Sequence, residues 1–368
     1  MSDVFFVTAR AEANKGLLHK LGVLVDRVGL ECVGDGDLVA VKVHFGDDGT
    51  TRYVRPAFAG CVVEKIKRRG GKPFLTDTLT LYKGPRSSAP SHLELAIRNG
   101  FGFAQVGAPL VIADGLRSRD AEEVEVGLKH FRSVRIAAAI HQADALVCLS
   151  HFKGHLLAGF GGTIKNISMG AGTRAMKQKM HASVRPRLDA PEACAGCGEC
   201  RDICPADAVE IRDGRAWFDD DACQGCAECI TACPEDALRI LWNEHPAAVQ
   251  EKMVEVAAAT LRPKRGKAVF FNFVIEVTPD CDCFPFSDTP IVQDVGILAS
   301  RDPVAIDQAS ADLVNAQAGL PGSKISSAFA PGADKFRDIL PSTDWTRQLE
   351  YAAEIGLGER AYRLVDVR

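Results

Sequence analysis

Apolar residues in the first half of the chain form short continuous runs, separated by segments with helical periodicity. The runs have the length of buried strands and cover residues 4–8, 38–45, 72–78, 109–114 and 145–150. Helical patterns lie between them, at about 9–30, 56–70, 91–100 and 134–143. Pro56 suits a helix start, Gly70 a helix end and Ser91 an N-cap. This alternation predicts an α/β fold with a mainly parallel sheet and flanking helices.

The pattern changes between residues 190 and 242 and then resumes. This stretch is short, rich in cysteine and without long apolar runs. Beyond it, residues 246–261 and 302–319 have helical patterns, and residues 267–277 and 294–300 have strand patterns. Asp302 precedes Pro303 and suits an N-cap, with a functional role as the alternative. We expect one α/β domain, formed by residues 1–189 and 243–368 and interrupted by an insert at 190–242; two separate α/β domains are the alternative.

Two cysteine runs in the insert share one spacing. CAGCGECRDICP and CQGCAECITACP both have the form C-x2-C-x2-C-x3-C-P, and ADAVEI and EDALRI follow them in parallel. This is the spacing of bacterial two-cluster ferredoxins, in which the fourth cysteine of each run ligates the other cluster. The duplication predicts a small α+β, ferredoxin-like insert with two 4Fe–4S clusters. Two zinc sites or disulfides are the alternatives, although zinc sites rarely repeat this spacing.

The crossed arrangement assigns a cluster to each of the eight cysteines. One cluster takes Cys194, Cys197, Cys200 and Cys233, and the other takes Cys223, Cys226, Cys229 and Cys204. Electron transfer is the chemistry that such an insert supports. Clusters of this type are often sensitive to oxygen, which favours an anaerobic setting. The spacing names neither the electron donor nor the acceptor.

A cationic, glycine-rich stretch follows the strand at 145–150. It contains His151, Lys153, His155, Lys165 and Asn166. In open α/β sheets, ligands bind beyond the carboxyl ends of the strands, so this loop is a candidate site for an anion bound by backbone N–H groups. The loop lacks the Walker spacing and the dinucleotide fingerprint, so no nucleotide site is predicted. A purely structural loop is the alternative.

Further candidates follow the two strands before it. His44, Arg52 and Arg55 follow the strand at 38–45, and two arginines can bind a carboxylate or a phosphate in a fork. Tyr82 and Arg86 follow the strand at 72–78 and are candidate substrate contacts. Solvated surface loops are the alternative in both cases.

Two further cysteines, Cys281 and Cys283 in TPDCDCFPF, belong to neither run. In an extended chain, residues i and i+2 point to the same side, so two thiolates there can bind one metal ion or one corner of a cluster. A redox or nucleophilic thiol and simple packing are the alternatives, although Asp280 and Asp282 do not suit a core strand. A disulfide between i and i+2 would close a strained ring and is not expected.

Composition limits the other classes of function. The 368-residue chain is 46% hydrophobic and 25% charged, which is typical of a globular protein, and its net charge is −4. The absence of long charged runs gives no reason to expect a nucleic-acid or membrane-surface partner. No apolar stretch approaches the ~18 residues of a membrane span, and the N-terminus lacks a signal-peptide core, so we expect a cytoplasmic protein. In a reducing cytoplasm, clustered cysteines among the 13 are metal ligands or catalytic groups.

Several segments together resemble a known family. VKVHFG, DTLTLYKGPR, GFGGTIKNISMG, TPDCDC and DVGILASRDPVAIDQA are similar to the uncharacterised Fe–S centre proteins, domain-of-unknown-function family 362, over residues 4–320 and including the cysteine-rich insert. The resemblance implies the fold and the cluster content, and little about function. GFGGTIKNISMG is also similar to the glycine-lysine segment of nickel-pincer lactate racemases, in which the lysine holds the cofactor; the matching residue is Lys165.

Two functions fit these expectations. The first is an iron–sulfur oxidoreductase, in which two clusters receive electrons from a redox partner protein and pass them to a site in the α/β body. His44, Lys153, His155 and Lys165 would act there as catalytic groups on a small anionic substrate. Arg52, Arg55, Tyr82, Arg86 and His151 would contact the substrate, and Cys281 and Cys283 would hold a further metal or cluster. The second is a non-catalytic electron carrier or a protein that handles metals or clusters.

Overall fold

The structure, a computed structural model, describes residues 1–182, 186–240 and 242–367. Its strands are β1 (Ser2–Thr8), β2 (Leu38–Val43), β3 (Lys72–Asp77), β4 (Leu110–Ile112), β5 (Ala121–Glu125), β6 (Ser133–Ala137), β7 (Ala145–His151), β8 (Lys153–His155), β9 (Gly159–Gly161), β10 (Arg187–Leu188), β11 (Val209–Arg212), β12 (Arg215–Phe218), β13 (Leu238–Arg239), β14 (Ala268–Val274), β15 (Gly296–Ser300) and β16 (Tyr362–Asp366). Its α-helices are α1 (Leu17–Val28), α2 (Pro56–Arg68), α3 (Ala89–Ala96), α4 (Phe103–Val106), α5 (Ala138–Gln142), α6 (Thr163–Asn166), α7 (Arg174–His181), α8 (Glu199–Asp202), α9 (Glu228–Ala232), α10 (Pro246–Leu261), α11 (Pro303–Asn315), α12 (Lys335–Ile339) and α13 (Thr346–Glu354).

Eight strands form one central sheet in the order β16-β1-β15-β14-β7-β2-β3-β4. Every neighbouring pair is parallel except the two pairs made by β15, which runs antiparallel to β1 and β14. The mainly parallel α/β sheet predicted from the sequence is therefore confirmed. Strands from before residue 190 and after residue 242 belong to this one sheet.

Helices cover both faces of the sheet. On β2, Val41 belongs to the core under α1 and α2, whereas Ala40 belongs to the core under α11 and α13. On β14, Phe271 and Phe270 divide between the same two cores. Burial on both faces explains why these strands are nearly continuous apolar runs rather than alternating patterns.

Two local predictions are wrong. Residues 134–143 were expected to be helical, but the first part is β6, which pairs antiparallel with β5, and α5 begins only at Ala138. Val134 and Ile136 are buried and Arg135 is exposed, which is the period-two alternation of a strand. The N-cap of α3 is Ser88 instead of Ser91, because Pro90 fits the first turn, where its missing N–H costs nothing.

Other helix boundaries are confirmed. Helix α2 starts at Pro56 and ends before Gly70, whose φ of +85° is the left-handed conformation that favours glycine. Asp302 is the N-cap of α11, where its carboxylate accepts the N–H groups of Val304 at 2.8 Å and Ala305 at 3.0 Å.

The cysteine-rich stretch contains two short helices, α8 and α9, and the antiparallel pair of β11 with β12. Its β13 pairs antiparallel with β10, at residues 187–188, so the folded unit begins slightly before the expected boundary at residue 190. Val209, Ala237 and Leu238 form its small core together with Cys200, Cys229 and Cys233. Leu81, from the loop after β3, belongs to the same core, so this stretch packs against the body of the protein. None of the helices in the described ranges is long and apolar enough to cross a membrane.

Candidate functional site

The carboxyl ends of β2, β3 and β7 carry the polar residues of the candidate site. His44 follows β2, Asp77 ends β3 and His151 ends β7. The three strands are parallel and two of the three pairs are direct neighbours, with β7 next to β2 and β2 next to β3. The fold thus brings these residues to one edge of the sheet, where open α/β sheets bind ligands.

Cys281 and Cys283 lie in a turn at this edge and not in an extended segment. The Phe284 N–H donates to the Cys281 carbonyl at 3.1 Å, which closes the turn over Asp282 and Cys283. The Cys283 N–H donates to the Cys281 sulfur at 3.4 Å. Cys281 is only 3% exposed, whereas Cys283 is half-buried. The turn therefore folds the two thiols together and leaves one of them closer to solvent.

The ammonium group of Lys165 contacts the sulfur of Cys281. Lys165 Nζ lies 2.8 Å from Cys281 Sγ. A hydrogen bond from the Cys283 thiol and the charge of Lys165 lower the pKa of Cys281 well below its usual range, although burial opposes them. Burial would lower the pKa of Lys165, but the Cys281 and Cys283 thiols raise it. Lys165 and Cys281 therefore form an ammonium–thiolate pair.

A buried carboxylate fixes the short helix that carries Lys165. Asp307, on α11, accepts the backbone N–H groups of Thr163 at 2.7 Å and Ile164 at 2.9 Å. Asn272, on β14, donates its amide to the same carboxylate at 2.7 Å. Burial raises the pKa of Asp307 to about 6 despite these donors. A Cβ atom at Gly162 would lie 2.3 Å from Asp307 Oδ1, so only glycine allows this close approach.

The central residue of the turn, Asp282, is buried and paired with two basic groups. Its carboxylate lies 2.8 Å from His151 Nδ1 and 2.9 Å from Lys153 Nζ. The other ring nitrogen of His151 lies 3.0 Å from the Ile275 carbonyl. Burial opposes ionisation of Asp282, but His151 and Lys153 outweigh it and lower its pKa. His151 was predicted as a substrate-binding residue and Lys153 as a catalytic residue. Both instead hold the cysteine turn in place through Asp282.

A second buried ion pair lies on the neighbouring strands. Lys42 Nζ contacts Asp77 Oδ1 at 2.8 Å and the side-chain oxygen of Asn166 at 2.8 Å. Lys42 is 1% exposed and both partners lie at the carboxyl edge of the sheet. The Asn166 amide also donates to the Leu149 carbonyl at 2.9 Å. The helix with Lys165 is therefore tied to β2 and β7 as well as to Asp307.

Arg86 is enclosed by protein groups. Its Nε donates to Asp47 at 2.9 Å, one terminal nitrogen lies 2.7 Å from His44 Nε2 and the other contacts the Tyr82 hydroxyl. Tyr82 in turn donates to the Cys283 carbonyl at 2.8 Å. Burial, and then the charge of Arg86, lower the pKa of His44, so this imidazole is neutral. The structure brings these three predicted residues together beside the cysteine turn, with Arg86 holding Tyr82 and His44 in place.

Arg52 and Arg55 bind a carboxylate of the chain itself. Arg52 lies 3.4 Å and Arg55 3.1 Å from the two carboxylate oxygens of Glu276, which directly precedes the cysteine segment. The fork predicted for a substrate is thus occupied by Glu276. Arg55 is exposed, and Arg52 and Glu276 are partly exposed, so these ion pairs contribute little to stability.

Further basic side chains lie near Lys165. His155 accepts the Ala158 N–H at Nδ1, so its Nε2 carries the proton in the neutral ring. His181, on α7, donates Nδ1–H to the Lys177 carbonyl at 2.8 Å, so its Nε2 is an acceptor. Burial lowers the pKa of Lys177 to about 8 and of His181 to about 4. The site therefore offers neutral proton donors and acceptors next to a cationic lysine.

The cysteine turn does not offer a metal ion a ligand set. In the three described ranges, no group of three or more histidine, cysteine, aspartate or glutamate side chains is arranged to hold one metal ion. Cys281 and Cys283 supply only two sulfurs, and the Lys165 ammonium already lies on one of them. Asp282 points to His151 and Lys153. These residues do not fit the metal expected from the sequence, and no step is derived through one.

Four cysteines of the insert are arranged differently, around a recess. One apolar recess of about 340 Å³, counting its opening to solvent, is lined by Cys194, Cys197, Cys200 and Cys233. Leu188, Ile211 and Leu238 complete its wall. A 4Fe–4S cubane holds its four thiolates farther apart than a single ion does, so four cysteines around a recess suit a cluster better than an ion. The residues that share this recess are the four expected to share a cluster.

The other four cysteines also lie near one another. Burial, and then the neighbouring thiols of Cys226 and Cys223, raise the pKa of Cys229, and Cys200 and Cys204 contribute in the same direction. Glu228, between two of them in sequence, is buried and accepts both Arg119 nitrogens, at 2.8 and 2.6 Å. Cys204 and Cys223 also raise the pKa of Cys226, after burial and Glu228, so Cys204 lies near the second run, and its role as a ligand stays a prediction.

Three consecutive residues connect the insert to the cysteine turn. Leu81 packs in the insert core, Lys83 donates to the carbonyls of Cys233 and Pro234 at 3.3 Å each, and Tyr82 donates to the carbonyl of Cys283. The segment Leu81–Lys83 therefore contacts one cysteine recess on one side and the cysteine turn on the other.

Several site residues were not singled out from the sequence. Lys42 and Asn272 are single polar residues inside buried apolar strands. A polar residue at such a position could have indicated a site residue from the sequence alone. Asp282 lies between the two cysteines, and Glu276 lies five residues before Cys281. Lys177 and His181 carry no signal beyond their spacing of four on a helix. Only the fold brings them near Lys165.

Comparisons with known proteins give a family and several distant structural neighbours. A family model described as "Domain of unknown function (DUF362)" matches residues 39–312. The chain is similar to the lactate racemase apoprotein from Thermoanaerobacterium thermosaccharolyticum at 12% identity and a TM-score of 0.33, a match that covers 75% of this chain and 51% of that one. The chain thus spans about half the length of that protein. No curated protein matches the chain.

Proposed function

The chain belongs to the DUF362 family, whose function is unknown, and we propose that it is an iron–sulfur oxidoreductase. Its insert would hold two 4Fe–4S clusters, and electrons would pass from a redox partner protein through the insert to the site around Cys281. The observation that carries this proposal is the gathering of Cys194, Cys197, Cys200 and Cys233 around one recess, as the ferredoxin spacing requires. Cys204 would join Cys223, Cys226 and Cys229 in the second set.

The chemistry that such clusters supply when bound is the transfer of one electron each. The chain's own residues exclude water from the clusters and place positive charge beside them. Apolar side chains, among them Leu188 and Leu238, exclude water from the first recess. Lys83 and Arg119 place cationic groups next to the two cysteine sets, where they favour added negative charge.

The site at the sheet edge has the composition expected for reduction of a small anion. Lys165 and Lys177 are half-buried cations at the edge, and His155 presents an N–H donor. Groups of this kind bind negative charge and deliver protons as electrons arrive. Arg86, His151 and Lys153 have partners within the protein and position the others.

Iron and sulfide analysis of protein purified without oxygen tests the proposal. We expect about eight irons per chain, as two cubanes require. Each cluster gives its own paramagnetic signal after reduction. Cys204→Ser would lower the iron content and weaken the signal of the cluster held by Cys223, Cys226 and Cys229. Cys233→Ser would do the same for the cluster held by Cys194, Cys197 and Cys200. The matched control is Cys61→Ser, a half-buried cysteine far from both sets, which keeps all the iron. Zinc in place of iron would refute the proposal.

A non-catalytic electron carrier is the second candidate. The Leu81–Lys83 contact argues for the oxidoreductase, because a carrier has no need to connect its clusters to a buried, charged site in its own body. Replacing Tyr82 with phenylalanine distinguishes the two. In an oxidoreductase the variant slows reoxidation of the reduced protein by its substrate, whereas in a carrier transfer to a partner is unaffected.

A further inference from the structure

We propose that Cys281 and Cys283 form a redox-active dithiol that reduces a disulfide of a small anionic thiol. This inference deepens the proposed function and rests on it for the source of electrons. It stands on three contacts: Lys165 Nζ at 2.8 Å from Cys281 Sγ, the Cys283 N–H on the same sulfur, and the turn that folds the two side chains together.

The two sulfurs differ in access and in charge. Cys281 is buried against Lys165, and Cys283 is half-buried at the mouth of the turn. A substrate disulfide can therefore reach Cys283 first. The Cys283 N–H lies 3.4 Å from the Cys281 sulfur and holds the two side chains together, so Cys281 is placed to accept the proton of the Cys283 thiol. The buried sulfur thus activates the exposed one and later resolves the adduct.

The reaction consists of two thiol–disulfide exchange steps and one reduction step that restores the cysteine pair. Cys283 passes its proton to Cys281 and attacks R–S–S–R′, forming Cys283–S–S–R and releasing R′–S⁻. Cys281 then attacks Cys283, forming the Cys281–Cys283 disulfide and releasing R–S⁻, while its proton goes to a departing thiolate. Two electrons and one proton restore the thiol and the thiolate. The two one-electron centres proposed for the insert match this two-electron demand.

A disulfide between Cys281 and Cys283 would close a strained ring. The strain makes this disulfide unsuitable as a stable state but suitable as a transient intermediate. A strained disulfide has a higher reduction potential and is easily reduced again, which is the property of catalytic pairs. The substrate class follows from charge. Lys165 and Lys177 line the edge as half-buried cations, so an anionic disulfide is favoured over a neutral or cationic one.

Full-length protein, handled without oxygen, is treated with a chromogenic nitrobenzoate disulfide, and labelled peptides are mapped by mass spectrometry. Cys61 is the control within the same molecule, because it is half-buried and burial raises its pKa. We expect the pair to react at least about tenfold faster than Cys61 and to end as an internal Cys281–Cys283 disulfide with two coloured thiolates released. Cys281→Ser stops at a stable adduct on Cys283 with one thiolate released. Cys283→Ser reacts no faster than Cys61.

Three results would overturn the inference. One is an adduct that persists on Cys283 in the wild-type protein, a second is a pair that reacts no faster than Cys61, and a third is an unchanged rate in Lys165→Met. Iron content is measured on the same samples. Protein without iron but with the internal disulfide contradicts the proposed function alone, whereas protein with full iron and an inert pair contradicts only the dithiol.

Discussion

The ammonium nitrogen of Lys165 lies 2.8 Å from the sulfur of Cys281, although 116 residues separate them in sequence. The contact joins a glycine-rich helix start to a tight turn at the carboxyl edge of the sheet. In the described ranges no ion pair joins Lys165 to a carboxylate, so the lysine compensates the thiolate of Cys281.

Replacing Lys165 with methionine should shift the reactivity of the cysteine pair to higher pH. The Cys283 thiol and Lys165 lower the pKa of Cys281, so a thiolate is present in the pair at pH values where ordinary thiols are protonated. Loss of the cation should raise the midpoint of alkylation by at least about one pH unit. Alkylation rates measured against pH check this. Lys324→Met, which removes an exposed lysine paired with Asp280, should leave the midpoint unchanged.

Replacing Asp282 with asparagine should destabilise the protein by about 3 kcal/mol at neutral pH. The change leaves Lys153 buried without its counter-charge. Because His151 and Lys153 lower the pKa of Asp282, its contribution is present above the pKa of the unfolded chain and is lost as pH falls through the folded value. The difference between the two proteins should therefore shrink only in strong acid, measured by chemical denaturation.

The matched control for that variant is Asp280→Asn. Asp280 pairs with Lys324 at the surface, so its loss should cost less than about 1 kcal/mol. Equal losses in the two variants would show that Asp282 does not stabilise the turn through Lys153.

Asp307→Asn should change how stability depends on pH. Burial raises the pKa of Asp307 to about 6, above its value in the unfolded chain. Its contribution is therefore fully present below the unfolded value near pH 4 and is lost as pH rises to about 6, by about 3 kcal/mol. Denaturation of wild-type and variant protein across this window should show the fall in the wild type alone.

The same variant should disturb Lys165. An asparagine amide facing the Thr163 and Ile164 N–H groups removes one acceptor and loosens the helix that holds the lysine. Alkylation of the cysteine pair should slow. Asp312→Asn, on the same helix but exposed, should change neither stability in this window nor the alkylation rate. A full rate in Asp307→Asn would mean that Lys165 is positioned by other contacts.

Lys83→Ala should lower the reduction potential of one cluster by a few tens of mV. Lys83 donates to the Cys233 and Pro234 carbonyls, and a cation beside a cluster stabilises its more negative, reduced form. The lysine is half exposed, so solvent limits the size of the effect. Potentiometric titration followed by electron paramagnetic resonance measures it. Lys129→Ala, whose lysine pairs with Glu251, should shift neither cluster, and equal shifts of both clusters would contradict the assignment of Lys83 to one set.

The sequence determined the regular parts of this protein. Buried runs such as residues 38–45 predicted the parallel strands, because strands covered on both faces must be continuously apolar. The preferences of proline for the first helical turn and of aspartate for the N-cap predicted the helix starts at Pro56 and Asp302. The repeated cysteine spacing defined two sets of four, which residues 194–233 then gather as the crossed pattern requires for the first set. Position relative to strand ends also identified His44, His151 and Lys165 as neighbours at one edge.

Tertiary structure alone decided what those neighbours do. An arginine pair that suits a substrate carboxylate binds Glu276 instead, and a cysteine pair that suits a metal meets the ammonium of Lys165. Partners of this kind come from segments far apart in sequence, and spacing along the chain carries no signal for them. Charges buried at a sheet edge must be compensated, and only the folded arrangement determines whether the compensating group is a ligand or another side chain.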